Sequence, residues 1–89
     1  MRNRLFLELF EKVGDRFVKD FEITHYDLKL INEICPPETP MDYEYCDGHF
    51  VEEEEFIKLQ KLIKELSTFN YSEYDYNLCA RRVWRDEIK

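Results

Sequence analysis

Between Pro36 and Ile57 lie eight carboxylates, Glu38, Asp42, Glu44, Asp47, Glu52, Glu53, Glu54 and Glu55, with no Lys or Arg among them. This stretch accounts for more than the whole formal charge of −7, the remaining segments being close to balanced. A localised negative field steers a positively charged partner, which diffuse acidity does not. The chemistry on offer is therefore recognition of something basic. Tyrosines are interleaved with these acids, in Asp42-Tyr43-Glu44-Tyr45 and again in Ser72-Glu73-Tyr74-Asp75-Tyr76. Tyr combines a large rigid contact area with a polar tip, a combination enriched at binding hot spots. The expected contact set is Asp42, Tyr43, Glu44, Tyr45, Asp47, Phe50, Glu52, Glu53, Glu54 and Glu55. The plainer account of the Glu52–Glu55 run is a solvated helix start, where the positive end of the backbone dipole favours anions.

Cys46-Asp47-Gly48-His49 has the spacing of half a zinc site, with a tight turn between the two ligands. Cys35 and Cys79 could complete a Cys3His tetrahedron, a type of site that stabilises undersized domains. Paired zinc motifs show two such couples, however, and here the other two cysteines stand alone on apolar stripes. A small buried hydrophobe is the simpler role for them. Zinc is accordingly a secondary alternative to an expectation of no cofactor. Catalysis is not expected. Cys46 with His49 or His25 offers a nucleophile and a base, but Gly14 and Gly48 are the only glycines. No phosphate-cradling loop or oxyanion array is legible. Arg81-Arg82 with Trp84 and Arg85 is the one basic and aromatic cluster. Three cations in so acidic a chain are too few to hold a phosphate backbone in salt, and pairing with Glu73, Asp75, Asp86 or Glu87 is the expected outcome.

These groups have to be positioned by 89 residues that include seven Phe, six Tyr, one Trp, two Gly and three Pro. That supply of aromatics excludes a disordered chain, and the length suits a single domain, 1–89, near the lower limit for an independent core. The apolar start Leu5 to Phe10 is interrupted by Glu8. It is too short and too charged for a secretory signal or a membrane span. Three cysteines form an odd set, which reads as reduced thiols in the cytoplasm.

Phe6, Phe10, Val13, Phe17 and Phe21 step by helical spacing and predict one long helix from Arg4 to Glu22, with a break at Gly14 as the alternative. Thr24 and Asp27 resemble a capping box ahead of a second apolar stripe, Leu28, Ile31, Ile34 and Cys35, ended by Pro36-Pro37. Met41 to Cys46 alternates as a strand does, Asp47-Gly48 suits a two-residue turn, and His49 to Val51 would return. Phe56, Leu59, Leu62, Ile63 and Leu66 define a helix over Glu52 to Leu66. Tyr76, Cys79, Ala80 and Val83 predict a final helix from Ser72 to about Ile88, with residues 71–76 undecided between loop and helix.

The fold expected is mainly α, with three or four helices and a short β-hairpin around residues 41–51, a small α+β arrangement being the alternative. The function expected is a non-catalytic, acidic interaction protein, an inhibitor docking on a basic, nucleic-acid-binding protein. Direct nucleic-acid or membrane binding is not expected. In composition alone the chain resembles the phage-encoded proteins that block restriction or CRISPR nucleases by imitating the charge of DNA, a resemblance that implies a DNA mimic of viral origin. A zinc-stabilised adaptor on Cys35, Cys46, His49 and Cys79, or a structural subunit of a larger complex, is the alternative.

Overall fold

Leu5, Leu7 and Leu9 alternate with Phe6, Glu8 and Phe10, and this period of two governs the N-terminal part of the chain. The computed structural model describes residues 3–82. In it the segment forms β1 (Asn3–Glu11) and β2 (Phe17–Glu22), an antiparallel pair. These are followed by helix α1 (Leu28–Ile34), a 3-10 turn at Pro40–Asp42, the short β3 (His49–Phe50), helix α2 (Glu53–Leu62), a second 3-10 turn at Lys64–Leu66, and β4 (Tyr74–Arg82). The strands make one antiparallel sheet in the order β2-β1-β4-β3. The architecture is a small α+β fold, which overturns the mainly helical expectation.

The long N-terminal helix fails for two reasons. Gly14 and Asp15 both adopt left-handed backbone, with φ of 93° and 54°, and turn the chain back on itself. Beyond the turn, the leucines that a helix would have spread around its circumference all reach one face. There Leu5 lies opposite Ala80, Leu7 opposite Leu78 and Leu9 opposite Tyr76. Full burial of such side chains contributes about 1.5–3 kcal/mol each, which outweighs the helical spacing of the phenylalanines. Of these, Phe6 and Phe10 point to the other face of β1, Val13 is in the turn, and only Phe21 packs against the core.

The same alternation decides the C-terminal part. Tyr74, Tyr76, Leu78 and Ala80 share the helix-covered face, and Asp75, Asn77, Cys79 and Arg81 share the open one. A strand thus replaces the expected final helix, and residues 71–73 form the turn into it. The part of that expectation resting on Val83 to Ile88 lies outside the described residues.

The central hairpin is also replaced. Residues 41–46 pair with no strand, and β3 pairs with β4 instead. Asp42 Oδ1 and Oδ2 accept from the amides of Cys46 and Asp47, at 2.7 and 3.0 Å, and wind the segment into turns. Tyr45 has a φ of 61°, an uncommon conformation for a residue with a Cβ. It is held there because its side chain is buried and its carbonyl accepts from Ala80 N at 3.1 Å.

The two helices follow their apolar stripes closely. Asp27, not Thr24, caps α1 by accepting from Lys29 N, while Thr24 Oγ1 accepts from Leu5 N. Ile31 and Cys35 are buried, and the double proline ends the helix. In α2, Phe56 and Leu59 are buried, the helix stops at Leu62, and Ile63 and Leu66 continue the buried stripe. Both helices cover one face of the sheet and leave the other open. On that open face Arg81 lies 4.1 Å over the Phe6 ring and pairs at 2.7 Å with both Glu8 and Asp20. Its partners are thus not the acids expected from sequence. Arg85 and Trp84 lie outside the described residues. No helix among the described residues is long and apolar enough to cross a membrane.

Candidate functional site

The start of α2 is fixed by its own carboxylates. Glu55 Oε1 reaches back to accept from Glu52 N at 3.0 Å, the reciprocal half of a capping box. His49 is opposite Leu78 in the β3–β4 pair. Its Nε2 is 3.0 Å from the same Glu55 oxygen, and its backbone N–H donates to Asn77 Oδ1 at 3.0 Å. Cys35 is the C-cap of α1, its amide donating to Ile31 O at 2.8 Å. The thiol, the imidazole and the Glu55 carboxylate therefore arrive from three different elements, and their donor atoms lie within 4.8 Å of one another. Burial first, then the adjacent Glu55 charge, pushes the Cys35 thiol well above its usual range. It is held as a neutral thiol and is not poised as a nucleophile.

Above this cluster opens a groove of about 800 Å³ between the turns preceding β3 and the start of α2. Its lining includes five carboxylates, Glu38, Asp42, Asp47, Glu52 and Glu55, together with His49, Phe50 and Tyr71, and includes no Lys or Arg. Among the described residues none of the eight acids of the 36–57 segment forms an ion pair with Lys or Arg, and Glu55 meets only His49. Negative charge in a concave site is focused, because the low-dielectric walls confine the field.

The residues singled out by sequence divide into three groups. Asp42, Asp47, Phe50, Glu52 and Glu55 line the groove, although Asp42 spends both oxygens on backbone amides. Glu53 and Glu54 are exposed on the first turn of α2, away from the groove lining, and Tyr43 is 52% exposed outside it. Glu44 turns to the other side, where it accepts from Asn3 Nδ2 at 3.0 Å and borders a smaller pocket. Tyr45 is 1% exposed. Its hydroxyl donates to Cys35 O at 2.6 Å and accepts from Asn32 Nδ2 at 2.9 Å, and desolvation pushes its pKa up to about 12. It is a core anchor and not a contact residue.

The Cys3His set is not assembled. Cys46 is exposed beside Asn3, and Cys79 lies on the open face of the sheet. Neither belongs to the cluster that Cys35 and His49 form, and Glu55 takes part instead. The cause is the turn at Asp42 to Gly48, which sends Cys46 and His49 in different directions. Glu55 was legible only as one acid of a run, and Glu38 only as part of the total charge. The sequence cue to Glu55 was its position three residues after Glu52, the capping-box spacing that makes a Glu side chain turn back along the helix.

Fold and site together define a small α+β protein with an acidic groove at the junction of sheet edge and helix start. The chain belongs to the family described as domain of unknown function DUF7683, whose model matches residues 4–79 and so spans every element that builds the groove. No curated protein and no solved structure matches the chain.

Proposed function

We propose that the protein is a non-catalytic interaction protein whose acidic groove receives a positively charged segment of a partner, with a basic nucleic-acid-binding protein as the partner class. The observation that carries this reading is the convergence of Glu38, Asp42, Asp47, Glu52 and Glu55 on one groove without a Lys or Arg among its lining residues. Phe50, 66% exposed at the same groove, supplies an apolar anchor beside the charges. Attraction at this site accelerates encounter, and the aromatic rim slows departure. The concave shape suits insertion of Lys or Arg side chains better than a copy of a row of phosphates. The partner is therefore engaged through a protruding basic segment, and inhibition follows from occupying that segment. The buried neutral Cys35 thiol supports a non-catalytic role, and three unpaired cysteines suit a reducing cytoplasmic compartment.

The test is fluorescence anisotropy of a labelled Lys/Arg-rich peptide titrated with the full chain. Binding should weaken, mainly through slower association, as salt rises. Replacing Asp47 and Glu52 together by Lys should reduce affinity at least tenfold, whereas Glu53→Lys with Glu54→Lys should change it far less. Equal losses in the two double variants, or salt-insensitive binding, would refute the groove as the contact.

A further inference from the structure

We propose that Cys35, His49 and Glu55 form a binding site for a zinc-class divalent cation at the floor of the groove, with a fourth coordination position open to it. A lone acidic cluster would not support this. Here three different donor types, a thiol sulfur, an imidazole nitrogen and a carboxylate oxygen, converge within 4.8 Å from the end of α1, from β3 and from the first turn of α2. Around a tetrahedral zinc ion, bonds of about 2.0–2.3 Å place donor atoms roughly 3.3–3.8 Å apart. The observed cluster needs at most about 1.5 Å of closure, within reach of side-chain rotation about a fixed backbone. A mixed S, N, O set favours zinc over magnesium or calcium, which take oxygen ligands.

Hydrogen bonds already fix the backbone that carries two of the donors. Asn77 Oδ1 accepts from His49 N, and Tyr45 Oη donates to the Cys35 carbonyl. Glu55 Oε1 accepts from Glu52 N, which leaves Oε2 for a cation, and an ion bound at His49 Nε2 would replace the present 3.0 Å contact of that nitrogen with Glu55 Oε1. The charges also close. A dication bound by one thiolate, one carboxylate and one neutral imidazole makes a neutral centre, which a partly buried position tolerates. Coordination converts the Cys35 thiol to thiolate and releases its proton to solvent, so one proton leaves per ion bound. The ion enters from the groove past His49 and Glu55, whose side chains are 12% and 18% exposed. Once bound it would staple the α1 end and β3 to the start of α2.

The test uses the full chain stripped with a chelator and titrated separately with zinc, cobalt(II) and magnesium. Zinc should bind at one equivalent with release of one proton in weak buffer, and magnesium should not compete. Cobalt should give a sulfur-to-metal charge-transfer band, which Cys35→Ser abolishes. His49→Gln and Glu55→Gln should each weaken zinc at least tenfold, whereas Cys46→Ser and Cys79→Ser should leave it unchanged. If Cys35→Ser does not fold by circular dichroism, the two partly exposed positions carry the same test. Absence of saturable zinc binding, a cobalt spectrum without the sulfur band, or dependence on Cys46 would overturn the proposal. Peptide capture by metal-free protein reads the groove independently, so the two proposals fail separately.

Discussion

Tyr26 and Glu65 show how a single hydrogen bond joins distant parts of this chain. The Tyr26 hydroxyl donates to Glu65 Oε1 at 2.7 Å and accepts from Lys64 N at 3.1 Å, tying the start of α1 to the turn after α2. The donated bond, the largest cause, holds the Glu65 carboxyl below its ordinary range. A carboxylate whose folded pKa is depressed contributes stability above its unfolded pKa, and that contribution disappears as pH falls through the folded value. The melting-temperature gap between the native chain and Tyr26→Phe should therefore be largest near neutrality. It should shrink as pH drops below the ordinary Glu value of about 4.3. In a Glu65→Gln background the pH dependence of that gap should vanish, leaving a pH-independent loss of the Lys64 bond and of the uncharged bond to the side-chain amide oxygen. A gap that is constant between neutral and acid pH would refute the assignment. Tyr45 makes the complementary point: chain position among acids placed it at a surface, whereas its ring and three-way hydrogen-bonded hydroxyl belong to the core.

At the scale of elements, the β1–β2 turn has the clearest diagnostic. Gly14 has a φ of 93° and open space where a Cβ would stand, so an alanine there suffers from backbone conformation alone. Left-handed backbone costs a residue with a side chain about 1–2 kcal/mol. Gly14→Ala should thus lower the melting temperature by several degrees. In the helix that the phenylalanine spacing predicts, the same change would instead stabilise by about 1 kcal/mol. The sign of the shift in a thermal melt decides between the two. The helices were legible because their stripes are bounded by strong signals, Asp27 and Pro36-Pro37 for α1 and the acid run for α2. The short β3 at His49–Phe50 was expected as a strand, though with another partner, whereas β1, β2 and β4 were missed because aromatic and apolar residues at helical spacing overlay an alternation with a spacing of two.

For the whole molecule, uncompensated acids gathered in one groove must repel one another. The start of α2 offsets part of this through its dipole, by a few tenths of a kcal/mol for each exposed anion. Salt screens what remains over about 10 Å at 0.1 M. Thermal stability should consequently rise as sodium chloride is added from low concentration, and Asp47→Asn with Glu52→Gln should raise the low-salt melting temperature and flatten that rise. A melting temperature that falls with salt would mean that attractive pairs, such as Arg81 with Glu8 and Asp20, dominate the balance.

Order along the chain was enough to establish the two helix stripes, the proline stop after Cys35 and the concentration of charge between Pro36 and Ile57. Those depend on neighbours a few residues apart, and short-range periodicity records them. The sheet, the groove and the Cys35–His49–Glu55 cluster depend on pairings between distant segments, β1 with β4 and β3 with β4. Only the folded chain could decide which acids face one another, because left-handed backbone at Tyr45 and Gly48 and the amides gathered by Asp42 set the course of the chain between Asp42 and His49.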